Sequence, residues 1–125
     1  MNGLYQCKKV DFIFFDERGS LVQLVHEGYT QVNVLYSKGG TERGAHYHKQ
    51  STEAFYVISG SVRVVLTKVG APEIQTSVLF TKGDFFEIFP STLHYMQFEE
   101  NCIMIALYDK AIENADGTKD IYTKE

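Results

Sequence analysis

The feature that most constrains this chain is the rhythm of its apolar residues. Short stretches rich in Val, Ile, Phe, Tyr and Thr recur between Gly, Asp, Asn, Ser and Pro, and no segment sustains the 3.6-residue period of an amphipathic helix. The pattern predicts strands over residues 10–15, 20–26, 30–37, 45–48, 53–58, 61–67, 74–80, 85–89, 93–98 and 102–108. Turns are expected at Asp16–Gly19, Ser59–Ser61, Val69–Glu73 and Thr81–Asp84, where glycine or a short polar side chain suits a chain reversal. So many strands in 125 residues must stack or close, because one open sheet would leave long unpaired edges. An all-β fold follows, a small sandwich or barrel of jelly-roll type. The chain is expected to form a single domain over residues 1–125, with a loop-rich tail from about Asp109, where the apolar content drops.

Charge and hydropathy exclude several roles. The formal net charge is -4 and the basic residues form no cluster, so nucleic acid and anionic membranes are not expected partners. No apolar run is long enough to span a bilayer, and the opening MNGLYQCKK lacks the pattern of a signal peptide; the expectation is a cytoplasmic protein. Cys7 and Cys102 are expected to be a surface thiol and a core residue, not a disulfide.

Chemistry concentrates around the run TERGAHYHKQSTEAFYVISG at residues 41–60. On a strand, residues two apart share a face, so His46 and His48 project together, away from Ala45 and Tyr47. Glu53 follows after a turn, and His94 stands in a later hairpin after Pro90. Three imidazoles and a carboxylate suit Zn²⁺, Fe²⁺, Mn²⁺ or Ni²⁺ with open positions remaining. An isolated H-x-H pair is also common on exposed strands. His26, beside Glu27 and Gly28, reads as a surface residue, and Phe85, Phe86 and Phe89 as core or interface.

From Gly40 through His46, His48 and Glu53 to Gly60 the spacing resembles the first motif of the cupin superfamily. Gly83, Pro90 and His94 resemble its second motif, with one gap a residue longer and another a residue shorter than usual, Thr92 where glycine is common, and no terminal Asn. The resemblance covers roughly residues 20–108 and implies a cupin-type jelly-roll β-barrel, the double-stranded β-helix, with His46, His48, Glu53 and His94 as metal ligands and no organic cofactor. A narrower resemblance rests on Asp16, Arg18 and Gly19 and on Arg43 and Gly44 before the histidines. It is to dTDP-4-keto-6-deoxyhexose 3,4-ketoisomerases and to the metal-binding cupin domain of capsular-polysaccharide sugar enzymes. The first group typically replaces the glutamate and uses the histidines for proton transfer. The second keeps it, as Glu53 does here, but usually follows a reductase domain, for which this chain has no room.

The resemblance implies an isomerase or epimerase of a nucleotide-linked 4-keto-6-deoxysugar in surface-polysaccharide synthesis. Such chemistry removes a proton α to a ketone, and a histidine nitrogen that holds a metal cannot also accept that proton. With metal, Tyr36, Tyr95 and Glu87 stand as candidate bases; without it, His46 and His48 can serve as base and acid, their ordinary pKa near 6.5 suiting neutral pH. Arg18 and Arg43 are candidate diphosphate ligands, as a guanidinium grips phosphate oxygens in a fork. The alternatives are a metal-dependent cupin oxygenase on another small molecule and a non-catalytic metal- or sugar-binding cupin. The resemblance also implies a homodimer, and the apolar stretch VDFIFF at 10–15 would otherwise be an exposed, adhesive edge.

Overall fold

A computed structural model describes residues 3–123. Twelve strands run in chain order: β1 Tyr5–Cys7, β2 Phe12–Asp16, β3 Gly19–Gln23, β4 Gln31–Ser37, β5 Thr41–Tyr47, β6 Glu53–Ser59, β7 Ser61–Lys68, β8 Ala71–Thr81, β9 Phe85–Ile88, β10 Thr92–Phe98, β11 Cys102–Tyr108 and β12 Tyr122–Thr123. Ten match the expected strands. The two that sequence periodicity does not reveal, β1 and β12, are too short to carry a pattern and form only by pairing with distant partners, Tyr5–Cys7 with Phe86–Ile88 and Tyr122–Thr123 with His46–Tyr47.

Two five-stranded antiparallel sheets make the body, one in the order β1-β9-β6-β11-β4 and the other β12-β5-β10-β7-β8. Together they form a jelly roll in which the chain crosses from sheet to sheet. β2 and β3 form a separate two-stranded ribbon. Among the described residues no helix is long and apolar enough to cross a membrane.

Alternation along the strands separates core from surface. Phe55 and Val57 of β6, Val62, Val64 and Leu66 of β7, Met96 and Phe98 of β10, and Met104 and Ala106 of β11 all point between the sheets and are buried. The same inward rows end in polar groups: Glu53 precedes Phe55 on β6, His94 precedes Met96 on β10, and Tyr108 follows Ala106 on β11. One end of the sandwich is therefore packed hydrocarbon, and the other is a polar cavity with a rigid floor.

A second apolar cluster lies on the outer face of the first sheet, where Val10, Leu24, Val25 and Tyr29 pack on Ala54, Phe85 and Leu107. Beyond that cover the surface is unusually apolar. On the ribbon Phe12, Ile13, Phe14, Phe15 and Leu21 are exposed, and so are Val32, Val34 and Tyr36 of the edge strand β4. Cys7 is exposed and Cys102 buried, with no disulfide between them. His26 is on the surface against Asp11 and Glu27.

Candidate metal centre and active site

The cavity is about 460 Å³ and is walled by Leu35, Arg43, His46, Glu53, Phe55, His94, Met96, Tyr108 and Ile121, among others. Its polar side chains come from four neighbouring strands. His46 on β5 lies directly across the ladder from His94 on β10, and Glu53 on β6 lies across from Tyr108 on β11. His48 lies just past the end of β5 and turns inward with only 5% of its surface exposed.

An irregularity in β5 explains how Arg43 joins them. His94 pairs with His46 but Met96 pairs with Arg43, so three steps along β5 match two along β10. This bulge changes the parity of the strand, and Arg43 faces the cavity although it is an odd number of residues from His46. Its Nε donates to Ser37 Oγ at 3.0 Å and its Nη2 to the Tyr36 carbonyl at 3.3 Å, which fixes the guanidinium at the cavity wall.

The four expected ligands offer donor atoms within 4.8 Å of one another. His48 Nε2 is 3.0 Å from Glu53 Oε1, His94 Nε2 is 3.5 Å from the same oxygen, and His46 Nε2 is 3.0 Å from His94 Nε2. Around one Zn²⁺ with bonds near 2.0–2.2 Å, ligand atoms stand about 3.3–3.5 Å apart, so the set is spaced for a single ion. Each ring has its other nitrogen on a backbone carbonyl: His46 Nδ1 at 3.1 Å from Gly44 O, His94 Nδ1 at 3.2 Å from Thr92 O and His48 Nδ1 at 2.6 Å from Asp120 O. Donation through Nδ1 leaves Nε2 of the neutral His46 and His94 rings as the lone-pair atom, and leaves His48 Nε2 free to meet Glu53 or a metal, the orientation that outer hydrogen bonds impose on metal-binding histidines. Two neutral rings then aim lone pairs at each other across the His46–His94 contact, an arrangement that a cation relieves. The donor set fits a divalent metal.

The electrostatics agree with that fit. Burial pushes His94 down to about 4, so it is a neutral ligand at physiological pH. Burial also lowers His46, against the pull of Glu53. For His48, burial acts to lower the pKa, but the hydrogen bond to Glu53 and the carboxylate charge outweigh it and raise it. Glu53 is 3% exposed, and burial works to raise its pKa; the hydrogen bond with His48 and the nearby His94 and His48 more than offset this and hold it below the ordinary carboxylate value.

The other expected site residues lie elsewhere. Tyr36 is 73% exposed on the outer face of β4, while its neighbour Leu35 lines the cavity. Tyr95 alternates with His94 and Met96 and so faces out, beside Glu42. Glu87 is on the outer face of β9, bonded by Gln6 and 3.6 Å from Lys8 Nζ. Their side-chain parity, fixed by the ladder, removes all three from the cavity. Arg18 is in the turn of the ribbon, held by Asp16 at 2.5 Å, and lines a separate surface pocket there, not this cavity.

Two residues escaped sequence reasoning. Tyr108 lines the cavity with its phenol on Glu53, and burial followed by the Glu53 charge raises its pKa strongly. It ends a strand that reads as core, and only its register opposite Glu53 reveals it. Asp120 is 3% exposed in a tail whose composition reads as loop. A carboxylate after the turn at Gly117 carries no local signal of a partner some seventy residues away.

The profile of the family described as "Polysaccharide biosynthesis C-terminal domain" matches residues 14–123. No curated protein matches the sequence. Among solved structures, the WlaRB TDP-quinovose 3,4-ketoisomerase from Campylobacter jejuni superimposes with a TM-score of 0.75 at 17% identity, over 93% of this chain and 92% of that one. The sugar 3,4-ketoisomerase QdtA from Thermoanaerobacterium thermosaccharolyticum, in complex with TDP, gives 0.78 at 19% identity, over 99% and 90%. CapF with the inhibitor 3-isopropenyl-tropolone gives 0.68 at 23% identity, over 91% of this chain and 34% of that one. The fold is that of the cupins.

Proposed function

The chain belongs to the polysaccharide biosynthesis C-terminal domain family, and on that premise we propose that it is an isomerase or epimerase of a nucleotide-linked 4-keto-6-deoxysugar. The observation that carries this reading is the convergence of the donor atoms of His46, His48, Glu53 and His94 within 4.8 Å of one another, at a cavity lined by His46, Glu53 and His94 with the Arg43 guanidinium in its wall. The solved ketoisomerases of the same fold, one with TDP bound, support the substrate class.

Arg43 binds the diphosphate through a bidentate fork and thereby orients the sugar toward the imidazoles. Leu35, Phe55, Met96 and Ile121 give the cavity apolar walls that suit the 6-methyl group and exclude water. His46, His48, Glu53 and His94 would hold a divalent metal. When bound it supplies Lewis-acid polarisation of a ketone oxygen.

The proton α to the ketone is removed and returned. Return to the opposite face of the same carbon inverts it, whereas return to the former carbonyl carbon, with the proton of the neighbouring hydroxyl passing to the former ketone oxygen, moves the ketone to its neighbour. Which side chain carries the proton depends on metal occupancy. With the three Nε2 atoms committed as ligands no imidazole is free to take the proton, and Tyr108, which its raised pKa keeps a neutral phenol, is placed in the cavity wall to donate one to the enolate. Without metal, His46 Nε2 accepts the proton, and His48, whose pKa the hydrogen bond and charge of Glu53 raise against the effect of burial, donates.

Two copies of the chain complete the particle. The exposed ribbon and the exposed face of β4 each need cover, and a second copy supplies both. In such a dimer Arg18, at the turn of the ribbon, would be the candidate for a second diphosphate ligand at the partner's cavity.

The test is proton NMR of dTDP- and UDP-linked 4-keto-6-deoxysugars incubated with the protein in D₂O, before and after chelation. Loss of the C3 or C5 proton signal supports the proposal and identifies the carbon attacked. Exchange that stops on chelation and in Tyr108→Phe assigns the metal-dependent route; exchange that survives chelation and stops in His46→Asn assigns the histidines. No exchange with either nucleotide series overturns the enzymatic reading.

A further inference from the structure

The tail after β11 returns across the molecule and ends its path at the metal-ligand cluster. Asp120 is 3% exposed, and its carboxylate accepts three backbone hydrogen bonds from the turn that follows His48: Oδ1 from Lys49 N–H at 2.8 Å, and Oδ2 from Gln50 and Ser51 N–H at 3.0 Å each. The backbone carbonyl of the same residue accepts from His48 Nδ1 at 2.6 Å. One residue thus grips the loop carrying the ligand and the ligand ring itself.

Neighbouring residues hold the tail in register. Tyr122 pairs with Tyr47 and stacks on its ring at 5.4 Å, with Lys49 Nζ 4.2 Å above the Tyr122 ring. Ile121 contributes to the cavity wall. A carboxylate with three N–H donors is strongly fixed, since charge-assisted bonds in a buried setting are the strong ones. Its carbonyl is consequently a rigid acceptor, and it dictates that His48 carries a proton on Nδ1 and presents Nε2 to the cavity.

We infer that Asp120 is a positioning residue: it fixes the orientation and tautomer of His48, and through it the geometry of the metal centre. The inference about His48 rests on contacts alone, and its extension to metal rests on the ligand set described above.

Two measurements on the full chain test it separately. In metal-free protein, ¹H–¹⁵N NMR of the imidazoles should show a His48 Nδ1–H resonance protected from solvent exchange. That resonance should vanish in Asp120→Asn, where an amide N–H₂ faces backbone donors, and persist in Asn114→Ala, which loosens only the Asn114–Thr118 turn of the tail. Persistence of the signal in Asp120→Asn, or its absence from the unsubstituted protein, overturns the inference. With Co²⁺ as the probe, Asp120→Asn should weaken binding by about tenfold to a hundredfold and change the visible d–d spectrum. Unchanged affinity and spectrum reduce Asp120 to a fold clamp and also overturn it. Failure of the unsubstituted protein to bind Co²⁺ instead overturns the metal reading, and the NMR result still decides the role of Asp120.

Discussion

At the residue scale the cavity is governed by competition between burial and charge. His94 is the simplest case, because burial alone dominates and lowers its pKa from the ordinary 6.5 to about 4. The unfolded chain therefore binds the proton first as pH falls, so stability rises with pH between those two values. Metal-free protein should lose up to about 3 kcal/mol from this residue on acidification from pH 7 to 4, at roughly 1.4 kcal/mol per unit. Glu53 acts in the same direction at the acid end, since its lowered pKa makes its contribution present above the ordinary carboxylate value and lost as pH falls through the folded one. His48 opposes both, because its raised pKa contributes stability below 6.5 that is lost as pH rises through the folded value. Thermal melts in chelator should accordingly show a slope below pH 6.5 that His94→Phe largely removes. The grouping of His46, His48, Glu53 and His94 was legible from their spacing and its resemblance to the cupin motifs. Tyr108 and Asp120 were not, because their partners lie far away in the chain.

At the scale of elements, short hairpins deliver these groups. The β6–β7 connection turns at Gly60, whose φ is +79° and whose hypothetical Cβ would sit 2.1 Å from the Asn101 carbonyl oxygen. Both the left-handed backbone and the close approach exclude a side chain. Gly60→Ala should cost about 3 kcal/mol or more, read by chemical denaturation, from backbone strain and a displaced 99–102 turn. The strands themselves were visible in the sequence because alternation is local. The bulge in β5 was not visible: it depends on how β10 pairs, and it alone turns Arg43 inward beside His46. The same register turns Tyr36, Tyr95 and Glu87 outward, against the expectation that they serve as bases.

At the scale of the whole molecule, the ribbon and the β4 face leave large apolar side chains exposed on the single chain, and the proposed dimer would cover them. Sedimentation at micromolar concentration should report twice the chain mass. Val34→Lys, a charge placed on a side chain half exposed in the lone chain, should shift it to monomer with little loss of cavity structure. A monomer for the unsubstituted protein would contradict this and would leave Arg18 without a route to a cavity.

The sequence by itself determined the all-β class, most strand positions, the grouping of His46, His48, Glu53 and His94 and the resemblance to sugar-modifying cupins. Each is written in local periodicity, turn chemistry or fixed spacing. Tertiary structure alone decided which tyrosine enters the cavity, that Arg43 faces it and Arg18 does not, and that Asp120 braces His48. These depend on ladder register and on contacts between residues tens of positions apart, and no local pattern encodes such pairings.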